Sequence, residues 1–85
     1  MSAIQLYKEY PDTYKREMLG TLTEDQLDFL IDNLEDEFEE DEEYLLYPDT
    51  VDDLKEQGAD KDLVAMLEKA LAGTQDGVDI LYLIE

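Results

Sequence analysis

The chain has 85 residues, enough for one small domain with a modest core, and carries a formal net charge of −19. It has no cysteine and no histidine, and Ser2 is its only serine. Disulfides, thiolate metal sites, the usual transition-metal ligand sets and nearly every nucleophile–base pair are thereby excluded. So acidic a surface repels nucleic-acid phosphates and anionic membranes, so neither is expected as a partner.

The apolar residues, 44% of the chain, fall in periodic stripes, which favours a folded domain (residues 1–85) over disorder. There is no cationic, apolar leader and no long apolar run, so a cytoplasmic protein is expected.

Near the N-terminus, Lys8, Lys15 and Arg16 lie beside Tyr7, Tyr10 and Tyr14, forming the chain's only local cationic cluster. Opposite charges in a small domain attract, so this piece is expected to fold against the acidic segment and partly neutralise it; a basic-aromatic contact surface is the other reading. Tyr10–Thr13 repeats as Tyr47–Thr50, and each copy leads into a short helix-like stretch ending near glycine, Tyr14 to Leu19 and Val51 to Gln57. Proline favours a turn or a first helical position there.

A capping box marks the next element: Thr23 can cap a helix, Gln26 can return the bond, and Leu22 and Leu27 can staple it. Leu27, Leu30, Ile31, Leu34 and Phe38 then follow at helical spacing. From Glu35 to Glu43 only Phe38 interrupts a run of carboxylates. In a helix, Glu35 would face Glu39, Asp36 would face Glu40 and Glu39 would face Glu43, each pair costing about 0.2–0.5 kcal/mol. The helix dipole also disfavours anions at this end, so the segment after Phe38 should fray. The apolar cluster Tyr44–Tyr47 is expected to dock on the core and hold it.

In a small acidic chain expected to be helical, Tyr44-Leu45-Leu46-Tyr47-Pro48 resembles the colicin-nuclease immunity proteins, which carry a short acidic-then-tyrosine-rich helix ending in proline. The resemblance covers only this segment, and the surrounding residues depart from the family's pattern. It implies inhibition of a basic nuclease, with Tyr44 and Tyr47 as anchors.

A second long helix is expected from Asp60, as its cap, to Gly73, with Leu63, Met66, Leu67 and Ala70 on its apolar face. In the tail, Val78, Ile80, Tyr82 and Ile84 alternate as in a strand, yet a lone strand needs a partner. The candidates are Ile4–Tyr7, Tyr44–Tyr47 and a second copy of the tail. A helical or irregular tail tucked into the core is the favoured reading, with the strand close behind.

The fold expected from these elements is mainly α: a single-domain bundle of about four helices in two approximate helical hairpins, with a short C-terminal strand as a variant. Its expected core is Leu22, Leu27, Leu30, Ile31, Leu34, Phe38, Leu54, Leu63, Met66, Leu67, Leu71, Ile80 and Leu83.

An EF-hand fails on spacing: counting from Asp32 puts Leu34 third and Glu37 sixth, and counting from Ala72 puts Leu83 twelfth. Neither a specific metal site nor a cofactor is expected. The leading function is a non-enzymatic interaction or regulatory protein that binds a basic protein surface, in a sharper form by placing carboxylates where phosphates would lie. The partner-binding residues would be Glu35, Asp36, Glu39, Glu40, Asp41, Glu42 and Glu43, with Tyr44 and Tyr47 as aromatic anchors. A solvated acidic module without a specific partner and a weak divalent-cation binder are the alternatives, and the residues set no oligomeric state.

Overall fold

A computed structural model of the protein describes residues 3–10, 15–34, 38–72 and 76–85. Strands β1 (Ile4–Tyr10) and β2 (Lys15–Leu22) lead into helix α1 (Glu24–Asn33); strand β3 (Tyr44–Leu46), helices α2 (Pro48–Glu56) and α3 (Lys61–Leu71) and strand β4 (Val78–Ile84) follow. The strands form one antiparallel sheet in the order β2-β1-β4-β3. This corrects the expected helical bundle: the architecture is mixed α/β, a four-stranded sheet with three helices among the described residues.

The tail drives the difference. Its alternation is a real strand signal, and β4 pairs on both sides, with β1 through Leu6 and Tyr82 and with β3 through Leu46 and Val78. Two of the three candidate partners are therefore used together. The stretch Lys15–Leu19, expected to be helical, lies in β2. Its first four residues are exposed and include few β-formers, so its conformation comes from pairing with β1. The two Tyr-Pro-Asp-Thr copies thus differ in setting: residues 11–14 lie outside the described residues between two strands, whereas Tyr47 caps α2 and Pro48 opens it.

The helices follow their local signals more closely. Thr23 and Gln26 form the expected capping box, with Gln26 N donating to Thr23 Oγ1 at 3.0 Å and Thr23 N to Gln26 Oε1 at 2.8 Å. Helix α2 ends in a Schellman arrangement, with Ala59 N donating to Leu54 O, Gly58 N to Lys55 O, and Gly58 at φ +99°. Asp60 caps α3 by accepting from Leu63 N at 2.8 Å. Gln26 also ties the two N-termini together, donating through Nε2 to both Asp60 carboxylate oxygens at 3.1 and 2.9 Å.

All three helices contribute to one core together with Ile4 and Leu6 of β1, Leu46 of β3, and Ile80 and Tyr82 of β4. Since alternate strand residues point to opposite faces, the helices cover one face of the sheet. Nine of the expected core residues, including Leu27, Leu30, Phe38, Leu63 and Ile80, are buried there, while Ile31, Met66 and Leu71 pack half-buried at its margin. Leu83 does not join them, because it alternates to the other face. Ile4, Leu6, Leu19, Leu46, Val51, Ala70 and Tyr82 complete the core, most of them from strands that a helical reading leaves out.

The second face, which none of the described helices covers, carries Gln5, Tyr7 and Glu9 of β1, Leu83, Leu81 and Asp79 of β4, and Leu45 of β3. Strand β2 reaches this face through a β-bulge. Leu6 pairs with Gly20 but Tyr7 pairs with Met18, so Leu19 is an extra residue and turns into the core. Beyond it the alternation is reversed, which brings Met18 and Arg16 onto the helix-free face.

Candidate functional site

Of the expected site residues, Glu39–Glu43 do not form a helical ridge. Helix α1 stops at Asn33, with Leu34 as its C-cap, so the strain foreseen for its charged end is avoided by ending the helix early. Glu35 and Asp36, with Glu37, lie outside the described residues. Phe38 is buried, its ring 4.8 Å from that of Tyr82 and edge-on to Tyr44 at 6.1 Å. It anchors the run to the core.

Glu39–Glu43 then make a turn and run back along β4. Glu42 N donates to Glu39 O, and Asp41 takes a left-handed conformation with φ 61°, which short acidic side chains tolerate. Asp41 N donates to Tyr82 O at 2.9 Å, and Glu40 Oε2 accepts from Ile84 N at 2.9 Å. Two residues of the run are thus tied to the backbone of β4. Continuing the β3 alternation, Asp41 and Glu43 share the helix-free face with Leu45.

On that face the acidic run meets residues that the sequence pattern does not single out. Glu9 stands opposite Arg16 on one side and Asp79 on the other. Arg16 Nε lies 3.9 Å from Glu9 Oε2, and its Nη2 lies 3.5 Å from Asp41 Oδ1. Arg16 of β2 therefore lies against the acidic run. Lys8 goes elsewhere: its Nζ donates to Ala70 O near the α3 C-terminus and sits 4.8 Å from the Tyr10 ring. The β1 alternation Gln5-Tyr7-Glu9 is the signal that could have found Glu9.

The charges perturb one another. A hydrogen bond shared with Glu43 holds the Glu9 carboxyl above the ordinary glutamate value of 4.5, helped by desolvation and the Glu43 charge and opposed by Arg16. Glu43, which accepts from its own backbone N–H and shares that bond, is held below the same value. A second pair behaves alike, since Glu42 is raised by a hydrogen bond and a charge from Glu39. Desolvation, with the Glu40 and Glu39 charges, raises the Tyr82 phenol above 10.

Tyr44 is half-buried against Phe38 on the helix side, within a strand, where the immunity-protein resemblance implied a helix. Tyr47 is exposed, with its ring against Gly77. No family model matches the chain, and no curated protein or solved structure matches it either. The face must therefore be read from its own chemistry.

Leu81 is fully buried on this face, and a buried leucine contributes about 1.5–3 kcal/mol. Exposed ion pairs such as Arg16–Asp41 contribute about 0–1 kcal/mol. Packing therefore holds this layer together more than the charges do. Among the described residues, no group of three or more acidic side chains is arranged to hold a metal ion, and no helix is long and apolar enough to cross a membrane.

Proposed function

We propose that this chain is a non-enzymatic, cytoplasmic interaction protein that binds a basic protein through the carboxylates of its helix-free sheet face. The observation that carries this reading is the tethering of the acidic run. A merely solvated run needs no fixed geometry, yet Glu40 and Asp41 are hydrogen-bonded to β4 and the run is anchored by buried Phe38. The carboxylates are also short of positive charge, for two glutamate pairs share hydrogen bonds and Arg16 serves both Glu9 and Asp41. A cationic surface would relieve both pairs and would associate rapidly at low salt.

The absence of catalysis is part of the proposal. Among the described residues, a cleft of about 420 Å³ between α1, β3 and α2 is lined by two ionisable side chains, Tyr44 and Asp53. The phosphate-like version loses its geometric support, because a turn on a sheet does not repeat carboxylates along a ridge. The partner is better described as a basic protein surface than as the occupant of a nucleic-acid groove.

Affinity capture with the full chain at low ionic strength, repeated at high salt, tests the reading. A discrete basic protein should be recovered and then released by salt, and should bind a Glu39→Gln/Glu42→Gln variant more weakly. Recovery of only generic polycation-like proteins, with equal binding to the variant, would make the run a solvated face.

A further inference from the structure

We infer that the outer edge of β3, with the cleft beneath it, docks an extended segment of the basic partner in which lysine or arginine alternates with apolar residues. This rests on the basic-partner reading and gives it a position, a backbone conformation and a side-chain pattern.

Among the described strands β3 is outermost and pairs only with β4. Leu46 O turns towards the β4 side, where it lies 3.1 Å from the place of a methyl group at Gly77. Antiparallel ladders alternate, so Leu46 and Val78 form a hydrogen-bonded pair while the N–H and C=O of Leu45 point away from β4. Leu45 is 45% exposed, so a further strand has access to this donor and acceptor. The opposite edge of the sheet is less receptive. Strand β2 begins with Lys15, Arg16 and Glu17 and is bulged at Leu19, two devices that discourage pairing.

The cleft beside β3 adds selectivity. A strand laid along this edge sends alternate side chains to the two faces of the sheet. On the helix side lies the cleft of about 420 Å³, with buried Leu34 and Leu54 at its base and Asn33, Thr50, Asp53 and Gln57 around it. Among the described residues no cation pairs with Asp53. A lysine or arginine suits this lining, because its alkyl stem can cover the leucines while its charged head reaches the carboxylate. On the helix-free side the same strand meets Leu45, which suits an apolar residue.

Charge selects the occupant. Glu42 and Glu43 precede β3, Asp79 stands opposite Leu45, and Asp53 lines the cleft. The same edge of a second copy, in a chain of net charge −19, would be repelled. A cationic strand is attracted to each of these groups. Main-chain bonds to Leu45 then supply affinity, and the cleft distinguishes one segment from another.

The test is an NMR titration of the isotope-labelled full chain with acetyl-Lys-Val-Lys-Val-Lys-amide and, separately, with the same peptide N-methylated at its three central residues. The parent peptide should bind saturably, shift Tyr44–Leu46, Asn33, Thr50 and Gln57, and slow hydrogen exchange at the Leu45 amide. The methylated peptide keeps the charge but cannot donate to the edge, and should bind about tenfold more weakly. Asp53→Asn should weaken the parent peptide about two- to fivefold, as loss of one exposed ion pair would. Equal binding of the two peptides, an unchanged Leu45 amide, or shifts spread evenly over the acidic residues would overturn the inference. Concentration-dependent self-association through Leu45 without peptide would make a second copy the occupant and overturn it as well. Capture experiments separate the two levels through Leu45→Pro, which removes the outward N–H at an edge position where proline is tolerated. A salt-released basic partner held equally by wild type and Leu45→Pro would overturn this site alone. No partner for the wild-type protein would overturn the basic-partner reading and this inference with it. Should Leu45→Pro fold poorly, the two peptides still decide, since both are measured on the wild-type chain.

Discussion

Arg16 stands opposite Glu9 because β2 has one more residue than β1 at Leu19. Without that bulge, Arg16 would alternate with Gly20 and Leu22 towards the helices. The extra residue thus sets the charge pattern of the face, and it also turns Leu19 into the core. A local irregularity in one strand decides which carboxylates have a cation nearby.

The glutamate pairs predict an unusual pH profile. Glu9 and Glu42 have carboxyls raised above 4.5 in the folded state, so their contributions to stability are present at low pH and lost as pH rises through the raised values. Glu43 and Asp60 are lowered from 4.5 and 3.8, so their contributions are present above those values and lost on further acidification. Melting temperature should therefore rise as pH falls from neutrality towards the ordinary carboxylate range and drop below it. Glu9→Gln should melt higher than wild type at neutral pH and show a shallower rise. A wild-type melting temperature that falls steadily from neutrality downwards would contradict this account.

Salt should stabilise the protein. The chain has 25 acidic residues against 6 basic ones, and the basic side chains are too few to neutralise them. At about 0.1 M salt the screening length is about 10 Å, and repulsion between surface charges farther apart than that is largely removed. Unfolding in sodium chloride, followed by circular dichroism, should give a melting temperature that increases with concentration before levelling off. A salt-independent midpoint would mean that the folded state suffers no net repulsion.

Gln26 links two helix starts, and exchanging its amide for a carboxyl should expose that role. Glutamate is as acceptable as glutamine in a capping box, so Gln26→Glu preserves the bond to Thr23 N. It removes the two bonds to Asp60 and places a carboxylate against another, for an expected loss of about 1–2 kcal/mol at neutral pH. The loss should shrink on acidification, when the introduced carboxyl is protonated and can donate to Asp60 again. Denaturant unfolding at two pH values measures it; an equal deficit at both would show that the bridge to Asp60 does not matter.

The capping box, the proline opening of α2 and the Asp60 cap were legible because each is specified by neighbouring residues; the tail's alternation was visible too, but a strand with no known partner left the helical or irregular reading favoured, and that reading fails. The sheet was not, because pairing between Ile4–Tyr10, Lys15–Leu22 and Val78–Ile84 depends on residues far apart in the chain. Lys15–Leu22 in particular has a composition that suits a helix as well as a strand. The segment after Phe38 was legible as locally unsuited to a helix, but its destination depended on β4, which supplies Tyr82 O and Ile84 N. Glu9 stayed hidden, since a lone glutamate in a short strand carries no local mark until the face it shares with Glu43 is known.

Gly77 should tolerate substitution less well than Gly58, although both have left-handed backbones with φ of +92° and +99°. In each case alanine incurs the cost of that conformation, about 1–2 kcal/mol. At Gly58 a methyl group would point into open space, so nothing further is lost. At Gly77 it would lie 3.0 Å from Cδ1 of Tyr47 and 3.1 Å from Leu46 O. The tyrosine ring can swing away, but the Leu46 carbonyl belongs to β3, and its register with Val78 leaves little room to yield. Gly77→Ala should therefore cost about 1 kcal/mol more than Gly58→Ala in urea unfolding, within the range of strained backbone positions. Because β3 also positions Glu43, the Gly77→Ala variant should weaken the Glu9–Glu43 coupling and flatten the acid-side rise in melting temperature, whereas Gly58→Ala should leave that rise intact. Equal losses in the two variants, with unchanged pH profiles, would show that β3 can shift without disturbing the charged face.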